Sequence, residues 1–176
     1  LGDGVRHLTA RAARPVTALV LGKSEVRELM RRDREANRAI RRAYRDRLQA
    51  LFIAISPLLA ALDPGLVQRL LAATKPVGLM AQRVVIEQGG ESPGLFFVLL
   101  GRLEVSKEVR GKRSVLGYLE DGDCFGHRPL IEARAGEHTI RSCGFVQLLL
   151  LPAAECGSFL QEEHLRGLLA EQLEAR

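Results

Sequence analysis

Several groups of residues in the 176-residue chain have types and spacings that suit chemistry. Leu21-Gly22-Lys23-Ser24 ends like a phosphate-binding P-loop, in which backbone N–H groups and a lysine cradle a nucleotide. The glycine that opens such a loop five residues earlier is replaced by Thr17, so the cradle is incomplete. Cys124, His127, His138 and Cys143 form a Cys-x-x-His and a His-x4-Cys pair, ligand types that zinc accepts. Cys124 is expected to pack inward, and no metal is assigned. Glu162-Glu163 reads as a solvated helix face rather than a general acid and base. No His-Glu-x-x-His, Gly-x-Ser-x-Gly or Cys/His/Asn nucleophile spacing occurs. No catalytic residue is assigned, and the chain is read as a non-enzyme.

Charge is the next candidate chemistry. The formal net charge is +5, yet ten Lys and Arg against five Asp and Glu lie between residues 23 and 49, which is the whole excess. That stretch has helical spacing and reads as a solvated or partner-facing helix rather than a nucleic-acid site. Arg31-Arg32 and Arg41-Arg42 are similar to kinase inhibitor sequences, but Tyr44 stands where a small residue is needed. Apolar residues make up 47% and charged residues 27%, enough for a packed core. Three cysteines give no disulfide framework, and a reducing, cytoplasmic setting is expected. The longest apolar run, Val146–Pro152, is too short to span a bilayer, so no direct membrane insertion is expected.

The elements that must position these groups follow from periodicity. Pro15–Leu21 is β-rich. Val26, Leu29, Met30, Ile40, Tyr44, Leu48 and Leu51 make a helical stripe, with Ser24 as its expected N-cap and a break at the polar segment 33–39. Asp63 should cap a short helix that begins at Pro64. Beyond Lys75 the period falls towards two. Strands are expected over 77–80, 83–87, 95–100, 103–107, 114–119, 139–142 and 145–151, separated by Gly, Pro and Asp turns. Residues 153–176 read as one or two helices.

The chain also repeats. A shift of 130 residues aligns Thr9–Met30 with Thr139–Leu160 without a gap, with identities at Thr9/Thr139, Arg11/Arg141, Val16/Val146, Leu19/Leu149, Leu21/Leu151 and Glu25/Glu155. Duplication explains this better than chance.

The run from Val85 through Gln88-Gly89-Gly90, Leu95-Phe96-Phe97-Val98 and Gly101 to Val105 resembles the signature of cyclic nucleotide-binding domains. Gly122-Asp123-Cys124-Phe125-Gly126 is similar to the family's entry to its phosphate-binding cassette. The resemblance covers residues 51–176. It implies a mainly β fold with helices: an eight-stranded jelly-roll β-barrel flanked by N- and C-terminal helices.

The resemblance also assigns a pocket, and this chain departs from it. The family's Glu after Phe-Gly, which binds a ribose hydroxyl, is here His127. The small residue that donates its N–H to the phosphate is Pro129, which has none. The phosphate arginine corresponds to Gly136, although Arg128 or Arg134 would fill the place after a shift of register. Phe125, Gly126, His127, Arg128, Leu130, Arg134 and Thr139 are the expected pocket residues. Arg6 and Thr9 resemble the end of an intact earlier cassette.

Residues 1–22 are therefore expected to be the C-terminal strands of a preceding domain of the same type. Residues 23–50 are a basic helical connector, and 51–176 a second domain with C-terminal helices. The expected function is a regulatory or docking module with a degenerate cassette that is not a conventional cAMP site. It needs no cofactor and contacts a protein partner through the connector and the C-terminal helices, not a nucleic acid. Two alternatives are a working receptor for a cyclic nucleotide or nucleoside, similar to kinase regulatory subunits, and the gating domain of an ion channel. Only about 25 residues follow the last expected strand, too few for a helix-turn-helix.

Overall fold

A computed structural model of the protein describes residues 11–132 and 134–174. The chain divides into two compact units between Leu48 and Gln49. Arg6 and Thr9 lie outside the described residues.

In the first unit, residues 11–22 form neither helix nor strand. Val16, Leu19, Val20 and Leu21 are exposed, Leu19 completely. A β-rich segment becomes a strand only when a neighbour takes up its N–H and C=O groups, and none does so among the described residues. Helix α1 spans Lys23–Arg32. Its N-cap is Gly22 rather than the expected Ser24. The Gly22 carbonyl accepts the first helical bond, from Val26 N–H at 3.0 Å. Ser24 lies inside the first turn, where its hydroxyl donates to Glu25. The expected break falls at Asp33, whose carboxylate accepts from the N–H groups of Glu35 (2.8 Å) and Ala36 (3.0 Å) and so starts α2, Arg34–Ile55.

In the second unit, Phe52 near the end of α2 is fully buried, its ring 5.0 Å from that of Phe97. Helices α3 (Pro57–Ala60) and α4 (Pro64–Ala73) follow. As expected, Asp63 caps α4, accepting from Gly65 and Leu66 N–H at 2.8 and 3.2 Å.

Eight strands come next: β1 (Lys75–Leu79), β2 (Val84–Ile86), β3 (Gly94–Leu100), β4 (Leu103–Val109), β5 (Lys112–Leu119), β6 (Cys124–Phe125), β7 (Thr139–Ser142) and β8 (Val146–Pro152). They form two four-stranded antiparallel sheets, in the orders β1-β8-β3-β6 and β2-β7-β4-β5. Helix α5 (His127–Glu132) interrupts them, and α6 (Ala153–Leu160) and α7 (Glu163–Glu174) close the described chain. The β-roll with flanking helices matches the expected fold class.

Strands β3 and β8 are almost continuously apolar because both of their faces are covered. One face meets the roll interior, where Phe96, Val98, Val146 and Leu148 join Ile86, Leu103, Leu119, Phe125 and Ile140 in one core. The other face meets helices: α6 packs on both strands and α4 on β8. Strand β5, by contrast, has a single neighbour, β4, and only Leu119 of it is buried. Three elements have no counterpart in the sequence expectations, the first being the single turn of α3. Strand β6 is two residues long, too short to show alternation, and α5 is six, too few to show a helical period. Among the described residues no helix is long and apolar enough to cross a membrane.

Candidate ligand-binding site

Strand β6 delivers the chain to the site. Phe125 pairs in register with Phe96 and is anchored in the core, so the next residue must turn sharply. That residue is Gly126, with φ +87°. A Cβ there would lie 2.4 Å from the Gly94 carbonyl oxygen and 2.9 Å from Ser92 Oγ. Only glycine fits both the conformation and the space. The turn sends His127 inward as the first residue of α5.

Beyond it lies a cavity of about 440 Å³. Residues 116–119 of β5 form one wall, 123–129 another, and 134–138 a third, with Ile86, Val105 and Ile140 completing the lining. His127 is only 5% exposed, and neither ring nitrogen has a hydrogen-bond partner among the described residues. Burial, aided by the charge of Arg128 and opposed by Glu132, lowers its pKa to about 4. The imidazole is therefore neutral near pH 7 and offers one N–H donor and one lone pair.

The cationic groups of the lining have carboxylate partners. Arg128 Nε lies 3.2 Å from Glu132 Oε1, and Arg134 Nε pairs with the other oxygen of the same carboxylate. Arg134 Nη1 lies 2.9 Å from Glu137 Oε1, and Lys107 reaches Glu137 Oε2 at 3.6 Å. Gly136 is held by its backbone alone. Its N–H donates to the Gly90 carbonyl at 2.8 Å, and its carbonyl accepts from Gly89 N–H at 2.7 Å.

Residues 76–163 match the family described as the cyclic nucleotide-binding domain, half of the chain. The chain belongs to that family. Among solved structures, this cyclic nucleotide-binding domain is similar to the regulatory domain of Toxoplasma gondii PKA, co-crystallised with cAMP. The TM-score is 0.59 at 22% identity, over 66% of this chain and 44% of that one. It is also similar to the regulatory subunit of a cAMP-independent protein kinase A from Trypanosoma cruzi bound to guanosine. There the TM-score is 0.65 at 21% identity, over 78% of this chain and 50% of that one. At these identities the likeness shows the fold. A curated relative, lysophospholipase NTE1 of Phaeosphaeria nodorum, is 33% identical over 100 residues, 54% of this chain. The chain spans 7% of that relative's length.

Five of the expected pocket residues of this cyclic nucleotide-binding domain line the cavity: Phe125, Gly126, His127, Arg128 and Arg134. Leu130 is half-buried and outside the lining. Thr139 is outside it too, because its hydroxyl accepts from Gln88 N–H at 3.1 Å and ties β7 to the turn after β2. Glu137, His138 and the β5 wall also line the cavity, beyond the expected pocket residues. The sequence offers His138 only as a zinc-ligand type, and the β5 wall follows from topology that no local pattern encodes. Cys124 is buried while Cys143 is exposed. Among the described residues no three His, Cys, Asp or Glu side chains gather as a metal site.

Proposed function

We propose that this chain is a regulatory module of cyclic-nucleotide-binding type whose pocket takes an uncharged nucleoside-like ligand and does not hold a cyclic phosphate. The observation that carries this reading is the pairing of both lining arginines, Arg128 and Arg134, with Glu132 and Glu137. A phosphate entering the cavity would meet the Glu137 carboxylate and would have to draw both arginines away from their partners, while Pro129 offers it no N–H and Gly136 no side chain. His127, neutral and unpartnered, suits a hydroxyl that both donates and accepts. The guanosine-bound trypanosomal subunit gives a precedent for the ligand class.

In this reading the module is not itself catalytic. The lysophospholipase relatives match it over only 7% and 8% of their length, a proportion that suits a regulatory segment of a larger enzyme. Its output passes to a protein partner through the basic connector and the C-terminal helices. We also assign residues 1–22 to the end of a preceding domain of the same type. Besides the sequence repeat, this is supported by α1 and α6 beginning at Lys23 and Ala153, the same 130-residue shift.

Calorimetric titration with cAMP, cGMP, adenosine and guanosine tests the ligand class. Saturable heat with a nucleoside and none with the cyclic nucleotides is expected. Micromolar or tighter binding of cAMP or cGMP would overturn the reading.

A further inference from the structure

Helix α2 carries Arg34, Arg38, Arg41 and Arg45, spaced i, i+4, i+7 and i+11, so all four share one face of the helix. All four are exposed. The row is roughly 16 Å long at 1.5 Å per residue. None of the four has an ion pair among the described residues; Arg41 donates to the Asn37 side chain at 2.6 Å.

The acids of the same segment are engaged elsewhere. Glu28 is held by Arg31 and Arg32, Asp33 caps α2, and Asp46 faces Arg42 at 4.0 Å. Glu25 accepts from Ser24, which leaves Glu35, outside the row, as the remaining acid. An ordinary solvated helix face mixes its charges. This one sets like charges at i, i+3 and i, i+4, which destabilises a helix, and begins them at its N-terminus, where the dipole disfavours cations.

We propose that this arginine row docks an acidic helix of a partner protein, whose carboxylates recur at the same spacing. The inference rests on the regulatory reading only in requiring a partner, and it is independent of what the pocket holds. Three features choose the occupant. Arginine outnumbers lysine nine to one between residues 23 and 49, and its planar fork pairs carboxylates bidentately. The row is one helix face wide, the footprint of another helix rather than of a plane. Between Arg34 and Leu48 the exposed large apolar side chain is Tyr44 alone, so α2 there has no apolar face to sink into lipid.

The test uses the full chain and a fluorescent synthetic helix with glutamates at i, i+4, i+7 and i+11. Phosphatidylserine vesicles and a DNA duplex serve as alternative anions. Saturable, salt-sensitive binding of the peptide is expected, weakened at least tenfold in R34Q/R38Q/R41Q/R45Q and several-fold in the matching lysine variant. Thermal melting should show the glutamine variant as stable as the parent or more so, because like-charge repulsion has been removed. Unchanged peptide binding in that variant, no peptide binding, or tighter binding to vesicles or duplex would overturn the proposal. Nucleoside titration of the same variant reports separately on the pocket.

Discussion

Phe96 and Phe125 lie ring on ring, with centroids 4.9 Å apart and planes 6° from parallel. This stack fastens two-residue β6 to the middle of β3, and the pocket-bearing segment starts from that fixed point.

Removing the stack should be costly. Phe125→Ala is expected to lose about 3–5 kcal/mol, the usual range for truncating a buried phenylalanine. Phe125→Leu should lose much less. Urea denaturation followed by circular dichroism measures both.

Gly126→Ala combines positive φ with a Cβ 2.4 Å from the Gly94 carbonyl. A loss of about 1–3 kcal/mol or more is expected, with a lower Tm. Gly111→Ala has a similar φ of +75° but nothing within 4 Å of its Cβ, so it separates conformational strain from collision. The Gly126 variant should melt at the lower temperature of the two.

His127 sets a pH dependence. Its pKa falls from 6.5 to about 4 on folding. Below pH 6.5 the unfolded chain takes up a proton that the folded chain refuses, so stability declines as pH falls. The decline levels off below pH 4, at about 3 kcal/mol in all. In His127→Gln that contribution is absent. The difference in unfolding free energy between the two proteins should therefore change between pH 7 and pH 4; a constant difference would contradict the burial of a neutral ring.

Returning an arginine to position 136 should change the ligand. A Cβ on Gly136 would lie 3.4 Å from the Gly90 carbonyl, which a small adjustment accommodates. Gly136→Arg combined with Glu132→Gln and Glu137→Gln should create measurable cAMP binding. The exposed pairs that are released contribute up to about fivefold each, and the new arginine more. Titration of the triple variant beside Gly136→Arg alone separates the two effects.

Local chemistry made most of this molecule legible. Asp63-Pro64 announced α4, Asp33 broke the connector, and the seven longer strands showed alternation or continuous apolar runs between turn signals. Helix α5 is hidden because six residues are too few to show a helical period, and Ser24 has the type of a cap although the helix begins one residue earlier. The pocket was readable where one contiguous motif builds it, from Phe125 to Arg128. It was not readable where distant strands meet, as in the wall from Leu116 to Leu119, or where an ion pair decides the role of a charge, as for Arg134 and Glu137.

Among the described residues the core cluster takes Phe125 and then Ile140, and none between them. Selection can therefore rewrite residues 127–138 one at a time while the roll remains folded. A lineage is free to exchange one effector for another, or to abandon ligands altogether, without passing through an unfolded ancestor.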